Sequence, residues 1–340
     1  MKNKIISKEP IGLRLPVKSP YIITAHHYDL YPKGNNKMEP TYYIDGRDIG
    51  QDFDESEPWR MYHGKKIPGF PVHPHRGFET ITIVEEGFVD HTDSDGSTGR
   101  YGNGDVQWMT AGSGMQHCEM FPLINENSEN HLNLFQIWLN LPKKSKMVTP
   151  YYKMLWAEDI PIVEEIDENN KKTKIKLIAG NYKDIKAPNP APDSWAADEE
   201  NNVTIWLIEL EPNAKFSLRP TTSTASRMIY YYSGDTISIE GTELSKNYAA
   251  ELVSDEEILI TNGSEKSNIL LLEGEPINEP IAAYGPFVMN TEQEIYVAFN
   301  DYEKTQFGGW PWSAGDPVNP KDSGRFSKLK DGSTEYPPKN

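Results

Sequence analysis

Hydrophobic positions in this chain gather into short runs with strand character: Thr80–Val84, Leu134–Leu139, Val203–Ile208, Thr236–Ile239 and Asn268–Leu272. β-branched and aromatic residues suit a pleated, half-buried surface, and runs this short, punctuated by Gly, Asn and Asp, predict a β-sandwich or barrel. Helical periodicity is scarce. One helix is predicted near Thr291–Lys304, where Thr291 caps and Glu294 completes a capping box, and a short helical piece near residues 152–158.

The strand-rich segments form two groups, from about residue 20 to 140 and from about 200 to 275. Two all-β units of similar size suggest an internal duplication, although no repeat is visible by identity. Between them, the charged stretch Glu164–Lys174 and the Pro-, Ala- and Asp-rich stretch Ala187–Glu200 read as excursions or linkers. Lys172, Lys174 and Lys176 alternate with Thr173 and Ile175, the pattern of an exposed strand face. The segment Gly308–Asn340 reads as an extended tail that wraps over the body through Trp310 and Trp312.

Composition narrows the classes of function. With 34 basic against 51 acidic residues the net charge is −17, and no compact basic cluster offsets it, so direct nucleic-acid binding is not expected. No run approaches the ~18 consecutive apolar residues of a membrane helix, and Met1–Lys8 is not followed by the apolar core of a signal peptide. Cys118 is the single cysteine, which excludes an internal disulfide and fits a reducing compartment; a cytoplasmic monomer is expected.

Candidate chemistry lies in two stretches, His73-Pro74-His75-Arg76-Gly77-Phe78-Glu79 and Met115-Gln116-His117-Cys118-Glu119. Each holds metal-capable side chains at i and i+2, which project from one face of a strand. Two such pairs on neighbouring strands place three imidazoles and a carboxylate around one point. That set suits a borderline divalent metal such as iron and leaves coordination positions open. Strand alternation turns Cys118 to the opposite face, so an inert buried thiol is the preferred reading over a redox sensor. Arg76 reads equally well as a positive charge near the metal or as a strand-end ion pair. Glu79 shares parity with His73 and His75, as a further ligand or a partner to an imidazole N–H, unless Gly77 bends the strand. His26, His27, His63, His91 and His131 read as ordinary surface or hydrogen-bonded core residues. His131 is the last histidine, so a histidine-based site belongs to the first half alone.

These motifs resemble the cupin superfamily, whose first motif is matched by His73, His75 and Glu79, and whose second is matched by Gly104 and Gly112 with His117 two residues late. A two-residue shift keeps the side chain on the same face. The modified pattern is similar to that of pirins, as are Gln107–Gly114, Gln136–Pro142, Gly274–Ile277 and Gly285–Thr291, so the likeness covers about residues 60–300. The segment Lys33–Glu57 and the tail after Gly308 look like extensions.

The resemblance implies an all-β bicupin: two jelly-roll barrels face to face, few short helices and an extended C-terminal tail. The expected divisions are 1–148 for a metal-bearing barrel, 149–303 for a barrel without metal and 304–340 for the tail. It also implies His73, His75, His117 and Glu119 as ligands, with Glu79 left out. The expected ion is Fe(II), with Mn, Ni, Cu and Zn also compatible with a three-histidine, one-glutamate set. The expected activity is a quercetin 2,3-dioxygenase-like cleavage of a flavonol-like enol with O2, with Glu119 as base and Arg76 beside it. The alternative is a redox-sensitive iron protein that regulates a protein partner without dedicated catalysis.

Overall fold

The computed structural model describes residues 4–42 and 44–339. Regular structure is nearly all β, with one α-helix, Glu292–Thr305, and a few 3-10 turns among the described residues. The chain forms two compact units: Met1–Ala25 with Asp159–Asn278, and His26–Glu158 with Glu279–Asn340. All eight histidines belong to the second of these. These units divide the chain after Ala25, Glu158 and Asn278.

The histidine-bearing unit contains two large sheets and a two-stranded one, Ala282–Tyr284 with Phe287–Met289. One large sheet orders the strands Tyr151–Leu155, Val106–Thr110, Phe78–Glu86, Asn130–Asn140 and Tyr21–Tyr31; the other orders Thr334–Glu335, Phe326–Lys328, Thr98–Gly102, Phe88–Asp93, Met115–Met120 and Gly69–His75. The register pairs Thr80 with Trp138 and Thr82 with Gln136, so these four side chains share one face. Ile81, Ile83, Phe135 and Ile137 occupy the opposite face and are fully buried. Both faces of this sheet are covered, which explains the near-continuous apolar runs read in the sequence.

The histidine-free unit repeats the two-sheet plan. Ile5–Pro10, Tyr248–Leu252, Ser226–Ser233, Ser267–Gly274, Thr204–Leu210, Lys172–Ala179 and Ile162–Ile166 form one sheet; Lys215–Leu218, Ile258–Asn262, Thr236–Ile239 and Thr242–Ser245 form the other. Ile175, Leu177, Trp206, Ile208, Phe216, Ile229, Ile260 and Ile269 belong to its core. Each buried large aliphatic or aromatic side chain contributes roughly 1.5–3 kcal/mol relative to exposure.

Two expectations are corrected. Residues 151–155 are a strand, not helix, pairing Tyr151 with Thr110 and Leu155 with Val106; its two tyrosines and its sheet neighbour override weak helical periodicity. Glu164–Lys174 is not a linker but most of a hairpin in which Ile162–Ile166 pairs with the Lys172–Lys176 end of the next strand. Its charges belong to the outer face: Lys172, Lys174 and Lys176 are half-buried while Thr173 and Ile175 are fully buried. The capping box formed as expected, with Glu294 N donating to Thr291 Oγ1 at 3.2 Å and Thr291 N donating to Glu294 Oε2 at 2.9 Å. The tail packs on the histidine-bearing unit. Trp312 Nε1 donates to Asp93 O at 2.7 Å, and Phe326–Lys328 adds a strand beside Thr98–Gly102. Among the described residues no helix is long and apolar enough to cross a membrane.

Candidate metal centre

The two histidine-bearing stretches are adjacent antiparallel strands, and a bulge sets their register. Phe70 pairs with Glu119, but three residues on His73 pairs with His117 only two residues away. A regular strand would turn His73 to the face opposite Phe70; the extra residue among Pro71 and Val72 restores it to the face of His117 and Glu119. Gly77 closes the far end of the first strand at φ +86, where a Cβ would lie 2.0 Å from Val288 O, so only glycine fits.

Three imidazoles converge as the sequence predicted. One nitrogen of each of His73, His75 and His117 lies within 4.8 Å of the others. Ring centroids are 4.4 Å apart for His73–His117, 4.9 Å for His75–His117 and 4.8 Å for His73–His75. Burial pushes all three pKa values down, that of His73 to about 4, with neighbouring imidazoles adding to the effect. The rings are therefore neutral at physiological pH, the form that binds metal. His73 Nδ1 sits 2.8 Å from Pro71 O, which assigns the proton to Nδ1 and leaves Nε2 as the ligand atom. His117 is fully buried, and neither ring nitrogen has a hydrogen-bond partner. Burying an unpaired imidazole is costly, and a metal ion at the convergence of the three rings would satisfy one of its two nitrogens.

Glu119 lies beside this trio, with Oε2 3.8 Å from His117 Nε2. Its carboxylate accepts from Gln136 Nε2 at 2.6 Å and from Thr82 Oγ1 at 3.2 Å, and burial pushes its pKa up. Glu119 is not one of the three groups whose ligand atoms converge within 4.8 Å; a cation held by the imidazoles would offset the burial penalty of its carboxylate, so the three-histidine set with Glu119 beside it fits a divalent metal. Glu79 faces away. Strand alternation places it opposite Thr80 and Thr82, and it accepts from Thr110 Oγ1 at 2.7 Å. The shared parity with His75 is broken at Gly77.

The contacts of Arg76 are those of a strand-end ion pair. Nε donates to Ser113 O at 2.7 Å, Nη1 to Asp301 Oδ2 at 2.8 Å, and the guanidinium lies 4.5 Å from the Phe307 ring centroid. It ties the ligand strand to the C-terminal helix. Cys118 is buried with Met38, Ile67 and Met120 under Trp310 and Val318, and burial pushes its thiol pKa up, as an inert core thiol requires.

His91 is a hydrogen-bonded core residue, as read, but it also lies against the trio. It is fully buried, pairs across strands with Glu119, and its ring centroid lies 5.6 Å from that of His117. Its Nε2 is 3.2 Å from Asp93 Oδ2, and its ring stacks on Tyr152 at 4.9 Å. The signal was available, because His91 and Asp93 are themselves an i, i+2 pair. Of the remaining histidines, His26 pairs with Asn133, His63 with Gly50 O and His131 with Glu129, while His27 is buried against Tyr62 and Phe70 with its Nδ1 unpartnered.

Two β units, of which only one carries converging imidazoles, define a two-domain cupin with a single candidate metal centre. Residues 44–139 match the family described as Pirin, and residues 205–308 match the Pirin C-terminal cupin domain. The chain is 34% identical over 253 residues to pirin of Homo sapiens, covering 73% of this chain and 80% of that protein. It is 34% identical over 261 residues to Pirin-1 of Arabidopsis thaliana, covering 71% and 78%. The solved structure of quercetin 2,3-dioxygenase from Acinetobacter baumannii superposes with a TM-score of 0.69 at 29% identity, covering 90% of this chain and 98% of that one. The chain belongs to the pirin family.

Proposed function

We propose that this pirin is a metal-dependent dioxygenase that opens a flavonol-like enol with O2, with Fe(II) held by His73, His75, His117 and Glu119. The observation that carries the reading is His117, a buried imidazole with both nitrogens unpartnered at the point where two other imidazoles converge. The similarity to a quercetin 2,3-dioxygenase supports the choice of substrate class. A bound divalent ion supplies Lewis acidity that lowers the pKa of an enol hydroxyl, and a redox-active one activates dioxygen.

The chain's own residues do the rest. Phe78 and Trp138 stack at 4.2 Å and stand 5.0 and 5.1 Å from the His75 ring, an aromatic wall for a flat substrate. His73, Gln136 and Trp138 are the partly exposed members of the group and mark the mouth through which it enters. Glu119 takes the enol proton on a carboxylate oxygen, and Gln136 and Thr82 fix the orientation in which it does so. Iron-loaded protein should bleach quercetin in air and not under nitrogen; no oxygen-dependent loss of flavonol absorbance refutes the substrate assignment. A net charge of −17 favours a basic protein partner for the alternative, regulatory reading. That reading requires capture of a partner to differ between ferrous and ferric protein.

A further inference from the structure

We infer that the histidine-free unit carries a second ligand site, in the mouth of its own barrel, for a small aromatic carboxylate. The inference is independent of the metal centre. A cavity of about 390 Å³ opens within this unit among the strands Lys172–Ala179, Thr204–Leu210 and Ser267–Gly274 and the segment 180–203, which holds the short hairpin Asn181–Tyr182 with Ile185–Lys186. The register sets its walls in layers: Thr204 pairs with Glu273 and Glu273 with Arg227, while Trp206 pairs with Leu271 and Leu271 with Ile229. A polar layer thus lies beside an apolar one. Phe216, Leu218, Ile258 and Ile260 of the other sheet add only apolar side chains to this core.

Of the charged residues lining the cavity, all but Asp198 and Arg219 are ion-paired. Arg227 and Glu273, 2% and 3% exposed, form a buried ion pair, and Arg227 Nη2 also donates to Arg219 O at 2.7 Å. Lys183 pairs with Glu165 and Lys186 with Glu199, while Asp198 accepts from Glu200 N. Arg219 is exposed and has no ion-pair partner among the described residues. One donor is also unmatched: the indole N–H of Trp206, which lines the cavity at 8% exposure, has no hydrogen-bond partner. Buried indole N–H groups are normally paired, so its partner is an acceptor that enters the cavity.

Tyr182 joins the two unmatched groups. Its ring meets Trp206 edge-on at 5.4 Å between centroids, and the Arg219 guanidinium lies 5.4 Å from its centroid. A ligand beside Tyr182 reaches both. It must bring a negatively charged acceptor for the indole N–H and the guanidinium, and a flat apolar body for the walls of Tyr182, Trp206, Leu218 and Leu271. An aromatic carboxylate meets both demands.

The test is titration of the full-length protein with benzoate, followed in the 1H–15N signals of the tryptophan indoles, with Trp206→Phe identifying the Trp206 signal. The Trp206 signal should shift saturably with benzoate, equally before and after metal is removed by chelation, and not with the neutral analogue benzyl alcohol. Trp206→Phe should weaken benzoate binding about tenfold or more, the loss of a hydrogen bond to a charged group in a sheltered site, and Arg219→Gln, at an exposed guanidinium, about two- to fivefold. Arg219 is exposed, so its variant keeps the test decisive even if Trp206→Phe disturbs the core. A Trp206 signal that stays in place, an equal response to benzyl alcohol, or Arg219→Gln protein that binds benzoate like the wild type overturns the inference.

Discussion

Gln136→Leu separates a carboxylate that is part of the metal centre from one that merely lies beside it. Gln136 Nε2 donates to Glu119 Oε2 at 2.6 Å, while Thr82 reaches the other oxygen at 3.2 Å. Glu119 is 2% exposed, so water does not readily replace a lost donor. Leucine is close to glutamine in volume, which keeps packing nearly constant. A hydrogen bond to a charged group contributes about 1.5–3 kcal/mol, and partners that orient metal ligands typically change metal affinity by about 10–100-fold. At about 1.4 kcal/mol per factor of ten the two figures agree. Competition against a chromophoric chelator should therefore show metal bound at least about tenfold more weakly by the variant. Thermal unfolding of the metal-free forms checks that the fold is intact. An affinity within about twofold of wild type, below the range expected for such a partner, means that Glu119 does not act on the metal.

Three further outcomes follow from the same contacts. Lys146 is buried, with Nζ donating to Gly77 O, Asn140 Oδ1 and Val288 O at 2.8, 2.7 and 3.1 Å, so Lys146→Met strands three acceptors; denaturant unfolding should show a loss of about 3 kcal/mol or more. Burial, with His26 and Arg60 nearby, pushes the His27 pKa down to about 3 from an ordinary value of 6.5. The unfolded chain then takes up the proton first, so stability present above pH 6.5 is lost as pH falls toward 3, by about 2 kcal/mol at pH 5; His27→Phe should flatten the urea midpoint between pH 7 and 5 by that amount. Trp310 and Val318 cover Cys118, so a chain ending at Gly308 should expose its thiol to a disulfide reagent that leaves the full-length protein unreacted.

The convergence of the three histidines was largely legible because strand periodicity is exact at short range: side chains at i and i+2 share a face wherever the strand is regular. The prediction for His73, His75 and His117 needed only that rule and a neighbouring strand. The rule could not show the bulge between Phe70 and His73, whose register depends on a partner strand more than forty residues away. Nor could it show that Gly77 breaks the parity of Glu79, since glycine permits a turn without requiring one. Gln136 and Thr82 reached Glu119 through cross-strand pairing, which no local pattern encodes. The hairpin Ile162–Ala179 was hidden by its charges, because an outer strand with one solvated face carries as many lysines and glutamates as a linker. The pairing of Ile5–Pro10 with Tyr248–Leu252 joins segments about 240 residues apart and was invisible for the same reason. The helix at Glu292–Thr305 was legible because its signal, a capping box, is local.

The most direct test of the central claim is metal content by elemental analysis, measured on the full chain and on His117→Ala after loading with Fe(II) under nitrogen and desalting. His117 offers two buried, unpartnered nitrogens where His73 and His75 converge. The wild type should retain one ion per chain and the variant, folded by circular dichroism, essentially none. A folded variant that retains the same ion, or a wild type that retains none, contradicts the assignment of this site.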